Sequence, residues 1–421
     1  MQCAPNKRER DMSFNLIRNA RMFFTTNVNT DTGVVLATGF TASNTKQIQV
    51  LDGLSFSQNT GSETVTLSEA GTTPVRGQRS FNTSLEPVEL TFSTYIRPYF
   101  NEGATSAPAF DNNDVIDAEE DVLWNAFAAG YVDGSAELIG GASAAWTKTV
   151  GATGVAPYST VAMTNSGKNQ MTRFGVIIIL DTTAYIIDNC VLDQATIDFG
   201  LDAIATIAWT ARGSVMRSYT STEVAASTAD PVVFSGTYFT GGAGTNVAKA
   251  KITTAPFLAN KLSTIGITSN ISGTSGQAYT LALTGGSITL SNNVTYLTPA
   301  NLGVVNKPIT YFTGTRAISG SINCYLRTGS TNSGGLLANM LTQSATDVNP
   351  AFQVEIKIGG TGATRVELLM PACVLTIPAI NTEQVISSTI NFTAQGYSGS
   401  SFDISQNNEA TIKYYSANTT S

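Results

Sequence analysis

The sequence predicts a mainly β protein made of two tandem copies of one sheet-forming unit, each copy carrying a single helix. Three observations predict it. The first is internal repetition: residues 190–213, CVLDQATIDFGLDAIATIAWTARG, align without a gap with residues 373–396, CVLTIPAINTEQVISSTINFTAQG, giving nine identities in 24 positions at a constant offset of 183. The second is strand-like alternation within the repeated segments. The third is that convincing helical spacing occurs once in each half.

The repeat extends outward in order. FGVIII from Phe174 matches FQVEIK from Phe352, STYIR from Ser93 matches NCYLR from Asn323, and FTTNV from Phe24 matches ITSNI from Ile267. In VELTFSTYI, residues Val88, Leu90 and Phe92 share one face while Glu89, Thr91 and Ser93 share the other. ATIAWTARG places Ile207, Trp209 and Ala211 opposite Thr206, Ala208, Thr210 and Arg212. The second copy repeats the pattern with Ile390, Phe392 and Ala394 on the dry side and Thr389, Asn391, Thr393 and Gln395 on the wet side. Strands with one apolar and one polar face belong to antiparallel sheets that cover a core on one side only. Phe92, Ile207, Trp209, Ile390 and Phe392 are therefore expected in the domain cores. The run VIIIL at 176–180 is short and β-branched, so it reads as a strand.

The helix of the first copy is expected in VLWNAFAAG, with Val122, Leu123 and Phe127 at helical spacing and Gly130 as its stop; its counterpart is SGGLLANMLTQ, with Leu336, Leu337, Met340 and Leu341. Asp111, Asp114, Asp117, Glu119, Glu120 and Asp121 lead into the first helix, where negative charge compensates the helix dipole; a cation site and a charged patch for a partner are the alternatives. The expected organisation is an N-terminal arm over 1–14, a first domain over 15–215 with an inserted Gly/Ser-rich loop at about 134–169, a linker over 216–254, a second domain over 255–400, and a C-terminal tail over 401–421. PVVFSGTYF within the linker is a candidate extra strand.

Composition narrows the function. Charged residues are 13% of the 421, about half the usual quarter, so neutral polar groups or other subunits must cover the surface. The chain has no His, and its four cysteines (Cys3, Cys190, Cys324, Cys373) form no CxxC pair, so the usual zinc, haem and iron ligands are lacking and no cofactor or metal is expected. Cys190 and Cys373 fall at the same place in apolar strands and read as small buried hydrophobes. No serine–histidine pair, GxSxG elbow, phosphate-binding loop or dinucleotide motif occurs. The nearest carboxylate pairs, Asp198 with Asp202 and Asp181 with Asp188, are not repeated, because Asn381, Val385 and Pro371 stand opposite Asp198, Asp202 and Asp188. The chain is not expected to be an enzyme. Residues 1–215 carry 22 acidic against 13 basic side chains, net −9, and residues 216–421 carry 8 against 10, net +2. There is no basic stripe with which to grip nucleic acid. No apolar run reaches the roughly 18 residues of a membrane span, and the charged N-terminus has no signal-peptide core, so synthesis in the cytoplasm and no membrane partner are expected.

Taken together, RGQRSFNTSLEPVELTFSTYIRP followed by AEEDVLWNAF, and PACVLTIPAI…VISSTINFTAQG, resemble the major tail tube proteins of long-tailed bacteriophages. The likeness covers about 15–215 and 255–400. It implies β-sandwich-like, barrel-forming domains with a flanking helix, whose inner strands join those of neighbours around a wide channel in a virion tail made in the host cytoplasm. Six such domains make a ring in that family, so a duplicated chain would need three copies, with pseudo-sixfold symmetry. The implied partners are other copies of the chain, further tail proteins (baseplate or tip, terminator, a sheath where there is one), and double-stranded DNA that passes through without specific binding. The wet strand faces then become candidate lumen-facing positions: Glu89, Thr91, Ser93, Thr206 and Thr210 in the first copy, and Ser319, Ser321, Asn323, Thr389, Asn391 and Thr393 in the second. A duplicated decoration or adhesin protein and a minor tail ring protein remain alternative readings.

Overall fold

The computed structural model describes residues 20–68, 76–101, 114–128, 145–152, 156–163, 171–180, 183–201, 203–220, 225–226, 232–235, 245–247, 257–270, 275–345, 351–381, 385–399 and 401–417. They form a mainly β structure of antiparallel pairs with two α-helices. The first half contains β1 (Arg21–Thr25), β2 (Thr45–Ile48), β3 (Ser55–Ser57), β4 (Thr60–Ser68), β5 (Arg76–Leu85), β6 (Val88–Tyr95), β7 (Pro98–Asn101), β8 (Val115–Ala118) and α1 (Asp121–Ala128). It continues with β9 (Trp146–Thr149), β10 (Tyr158–Ala162), β11 (Phe174–Leu180), β12 (Thr183–Asp198), β13 (Thr206–Gly213) and β14 (Val215–Thr220). Within 216–254, the stretch expected as a linker, β15 (Ala225–Ala226), β16 (Val232–Ser235) and β17 (Thr245–Val247) make a small sheet of their own. The second half contains β18 (Thr264–Ser269), β19 (Ala278–Thr280), β20 (Ala282–Ser291), β21 (Thr295–Leu297), β22 (Thr310–Phe312), β23 (Ala317–Tyr325) and α2 (Ser333–Ser344). It ends with β24 (Phe352–Ile358), β25 (Arg365–Leu375), β26 (Ile380–Asn381), β27 (Ser387–Ala394) and β28 (Thr411–Tyr415).

Both halves are wound the same way. The hydrogen-bonded order is β2-β1-β11-β12-β13-β6-β3 in the first and β19-β18-β24-β25-β27-β23-β20 in the second. Even an irregularity repeats, since the ladder shifts between Phe174 and Val176 in β11 and between Phe352 and Val354 in β24. One difference is hidden by the gapless alignment. Val191 pairs with Arg212 in the first copy, which sets Cys190 level with Gly213, whereas Cys373 pairs with Ala394 in the second, so β27 is slid by two residues. A two-residue slip leaves every side chain on its own face, and the alternation survives it.

Burial follows the alternation. Along β6 buried and more open positions alternate, and Phe92, Ile207, Trp209, Ile390 and Phe392 are each no more than 3% exposed. They belong to one core that runs through both copies, together with Trp124, Ile197 and Ile288. The VIIIL strand β11 is dry on both sides: Val176 and Ile178 enter that core while Ile177 and Ile179 join Phe23, Phe40, Ala184 and Ile186 in a second cluster. A strand buried on both faces shows no alternation, which is why its sequence is continuously apolar.

Helix α1 is buried all round, whereas α2 buries Ser333, Leu336 and Met340 and leaves Leu341, expected on its apolar face, 52% exposed. The difference lies in what covers α1. Trp124 meets Trp209 edge to face at 4.9 Å, and its indole Nε1 donates to the Tyr414 hydroxyl at 2.6 Å. Tyr414 lies on β28, within the expected C-terminal tail, and β28 pairs with β25 on one side and β10 on the other. β10 in turn pairs with β9, so the stretch 134–169, expected as an inserted loop, carries two strands among its described residues. TIKYY is too short to stand out as a strand signal, and it becomes one because Ile412 and Tyr414 both reach the core.

The acids before α1 balance lysines as well as the helix end. Lys46 Nζ lies 2.8 Å from Asp121 Oδ1 and donates to the Ala118 and Glu119 carbonyls, while Lys148 pairs with Asp117. Asp121 Oδ1 also accepts from the Val122 amide at 2.6 Å; Asp111 lies outside the described residues. Glu120 is fully buried, with neither carboxylate oxygen in hydrogen-bond geometry and the Tyr414 hydroxyl beside it. Burial pushes its pKa from 4.5 up to about 8. The folded chain thus retains a proton that the unfolded chain releases above pH 4.5, so stability falls as pH rises from there to about 8. Glu120→Gln is expected to leave the unfolding midpoint nearly unchanged at pH 4 and to raise it at pH 9, by a free energy on the order of 5 kcal/mol at most; a gain at pH 4 equal to that at pH 9, measured by thermal denaturation, would contradict the assignment.

Candidate functional site

The feature that unites the two copies is a seam. Strand β12 is long enough to serve two neighbourhoods: its first half pairs with β11 and β14, and its second half lies between β13 of its own copy and β20 of the other. The seam register is Gln194↔Ser291, Ala195↔Leu290, Thr196↔Thr289, Ile197↔Ile288 and Asp198↔Ser287. Asn189, at φ 52°, marks where β12 turns from one neighbourhood to the other. The result is one sheet that runs β3-β6-β13-β12-β20-β23-β27 without a break.

Hydrogen bonds pin both ends of the seam, through side chains and backbone at one end and through backbone at the other. At one end the Asn292 amide donates to the Asp193 carbonyl at 2.8 Å and the Val294 amide to Asp193 Oδ1 at 2.7 Å, while Arg212 Nε donates to Asp193 Oδ2 at 3.1 Å. Asn292 Nδ2 also donates to the carbonyls of Phe127 and Leu192, and the Tyr296 hydroxyl donates to Arg212 O at 2.9 Å. At the other end the Phe199 amide donates to Gly286 O at 3.0 Å and the Ala205 amide to Leu258 O at 2.8 Å. Asp193 is almost buried, at 8% exposure, and the two donors to its carboxylate, the Val294 amide and the Arg212 guanidinium, offset the cost of burying it there.

All eleven positions expected to face a bore lie on one side of this sheet. Cross-strand partners run in rows: Glu89↔Arg212, Thr91↔Thr210↔Gln194, Thr206↔Asp198↔Ser287↔Ser321↔Asn391, Thr289↔Ser319↔Thr393, and Asn323↔Thr389. Glu89, Thr91, Ser319, Thr389, Asn391 and Thr393 are exposed, and Ser93, Thr206, Thr210, Ser321 and Asn323 are half-buried. Neighbouring side chains hydrogen-bond across the strands, with Thr196 and Thr289 hydroxyls 3.2 Å apart, Ser287 and Ser321 hydroxyls 3.4 Å apart, and the Thr389 hydroxyl donating to Asn323 Oδ1 at 2.7 Å. Among the described residues, this face carries Glu89, Asp198 and Arg212 as its charges, and Arg212 is tied to Asp193.

Sequence reasoning missed the seam residues Gln194, Thr196, Asp198, Ser287, Thr289 and Ser291. Their alternation was present in QATID and SITLS, with Ala195, Ile197, Ile288 and Leu290 on the dry side. A pairing between copies has no signature in either strand alone. The carboxylate pairs weighed for acid–base chemistry dissolve for different reasons. Asp188 is held by Arg217 through Nε at 2.6 Å and Nη2 at 2.7 Å and accepts from the Val35 amide, so it is a buried structural anchor. Asp198 stands on the polar face, and Asp181 and Asp202 lie outside the described residues. Cys190, Cys324 and Cys373 are buried and unpaired, and burial holds each thiol above its ordinary pKa, which keeps it protonated. Cys3 lies outside the described residues. No helix among them is long and apolar enough to cross a membrane.

Ile197 and Ile288 face each other across the seam on its dry side. Ile197→Ala and Ile288→Ala are each expected to lower the unfolding free energy by about 2–5 kcal/mol, and the double variant is expected to lose less than their sum by about 0.5–3 kcal/mol. Strict additivity in denaturant titrations would show that the two do not touch.

No known family profile matches the chain. Among curated proteins it is similar to the tail tube protein pb6 of Escherichia phage T5, with 27% identity over 395 aligned residues that cover 91% of this chain and 73% of that protein. An alignment of that extent reaches into both copies and across the seam that joins them, and it bears out the resemblance to the phage tail tube family carried by RGQRSFNTSLEPVELTFSTYIRP with AEEDVLWNAF and by PACVLTIPAI…VISSTINFTAQG.

Proposed function

We propose that the chain is a structural subunit of a phage tail tube, in which the polar sheet face lines the channel and the helices and outer strands lie away from it. The observation that carries this reading is the single continuous sheet with an apolar face on the core and a Ser/Thr/Asn face left open. Each copy contributes four strand positions to that sheet, β3-β6-β13-β12 and β20-β23-β27-β26. Three chains would supply about 24 strands, which at about 4.8 Å spacing and a tilt of about 40° close into a barrel roughly 50 Å across between backbones. After side chains are allowed for, such a bore admits a nucleic-acid duplex. The true symmetry of the ring is threefold and its local symmetry sixfold, because the seam already joins copies in pairs.

The chemistry of the lining suits passage rather than binding. Hydroxyl and amide side chains that hydrogen-bond to each other offer phosphates no fixed positive charge, and Glu89 with Asp198 adds weak repulsion. Closing the sheet also removes its two edges, which in a lone subunit would invite uncontrolled strand pairing. Rings stacked along the axis give the tube, and other tail proteins meet it at its ends. A structural subunit needs no catalytic group, in keeping with a sequence that supplies none.

Purified chain is expected to polymerise into hollow rods, and rotationally averaged electron micrographs are expected to count three chains per ring; a persistent monomer at high concentration would contradict the reading. Placing arginine in the lining is a second test. Thr206→Arg with Thr389→Arg is expected to leave rod formation intact and to slow DNA delivery several-fold at low salt, less so at high salt. Unaltered delivery would remove these positions from the lining.

A further inference from the structure

The two open edges of the sheet repeat, position by position, the two edges already joined inside the chain. Strand β26 stands to the second copy as the end of β12 stands to the first, at the offset of 183, which makes Asn381, Ile380 and Ala379 the counterparts of Asp198, Ile197 and Thr196. Strand β3 stands to the first copy as β20 stands to the second. LDGLSF at 51–56 matches LTGGSI at 283–288, and the pairings Ser55↔Thr91 and Ser287↔Ser321 place both strands at the same level of the sheet. Among the described residues, β3 pairs with β6 alone and β26 with β27 alone.

We infer that chains join by copying the internal seam: β26 of one chain pairs antiparallel with β3 of the next, in the register Asn381↔Ser55, Ile380↔Phe56 and Ala379↔Ser57. The proposal rests on the tube reading above and deepens it by naming the second copy's strand and its alignment. Exposure supports it independently of any relative. Ile197 and Ile288, which meet at the internal seam, are 1% and 0% exposed, whereas Ile380 is 45% exposed, although it faces the same side of the sheet. An isoleucine at a core-facing position lacks only its partner strand, and Phe56 is the apolar residue that the register brings opposite.

Side-chain size points the same way. At the internal seam Phe199 sits over Gly286, where an added Cβ would stand 2.6 Å from the ring. The corresponding positions at the open edges are Thr382, which lies outside the described residues, and Leu54. The large residue has changed sides while the pair keeps one large and one small member, so a strand joined in this register avoids a clash of two bulky groups. The junction is also delimited. Pro378, opposite Ala195 in the alignment, brings no amide hydrogen with which to extend the ladder beyond Ala379. Three residue pairs remain, against five at the internal seam. A head-to-tail contact of this kind generates a ring when its rotation closes, and the internal seam fixes the rotation that it copies.

The test is disulfide trapping in the full chain. Ser57→Cys with Ala379→Cys places its two thiols as Thr196 and Thr289 stand at the internal seam, where the hydroxyls are 3.2 Å apart. After assembly and oxidation with glutathione disulfide, non-reducing denaturing gels are expected to show most of the chain as covalent dimers and trimers. Either single variant, and the displaced pair Ser57→Cys with Asn381→Cys, are expected to stay monomeric on the gel. Rods that form without this cross-link, or that cross-link through the displaced pair instead, would overturn the register and leave the tube reading standing; a parent chain that forms no rods would overturn both. As a check that does not depend on cysteine chemistry, Ile380→Asp is expected to keep the parent's thermal midpoint as a monomer and to abolish rods, and rods formed by that variant would overturn the junction.

Discussion

The structure depends on one strand pairing, that of β12 with β20. Without it the two halves would be joined, among the described strands, by pairing through β28 alone, which lies between β25 and β10, and the polar sheet would be split into two pieces with exposed edges. With it, the backbone hydrogen bonds of one copy continue into the other, and a single core runs beneath both. A seam of five residue pairs is modest by itself, since cross-strand contacts contribute roughly 0.2–1 kcal/mol each. Its strength comes from the burial of Ile197, Ile288, Ala195 and Leu290 on the dry side and from Asp193 and Asn292, which tie the strand ends to backbone groups of both copies.

The two copies are alike in topology but not in dressing. Around α1 the first copy adds β9 and β10, and the second lends it β28, so that Trp124 and Tyr414 meet 290 residues apart in sequence. Around α2 nothing comparable occurs among the described residues, and Leu341 stays half exposed. Duplication thus freed each copy to specialise away from the shared sheet, while the sheet itself kept its alternation. The two-residue slide of β27 shows how strictly: an odd slip would have turned Phe392 and Ile390 to water and Asn391 to the core, whereas an even one changes nothing that the core can detect.

Much of this was legible in the sequence, for physical reasons. A strand with one wet face writes period-two alternation into its residues, and β6, β13, β23 and β27 could be read with their faces. The repeat was legible because both copies solve the same packing problem with Cys, Val and Leu in the same places. Three things were not. The seam joins strands of different copies, and alternation says which face is dry but not which neighbour lies beside it. Strand β28 has only five residues and acquires its meaning from Tyr414 entering the core beside α1. The acids before α1 read as dipole compensation because Lys46, their partner, lies 75 residues away from Asp121 in the chain.

Hydrogen exchange at the seam tests the central claim most directly. If one sheet runs through both copies, the amides of β12 and β20 that carry the seam ladder exchange as slowly as those between β23 and β27, deep within the second copy. Exchange at the rate of an open edge, orders of magnitude faster while β23 and β27 stay protected, would mean that the copies are separate bodies and that no continuous polar face exists.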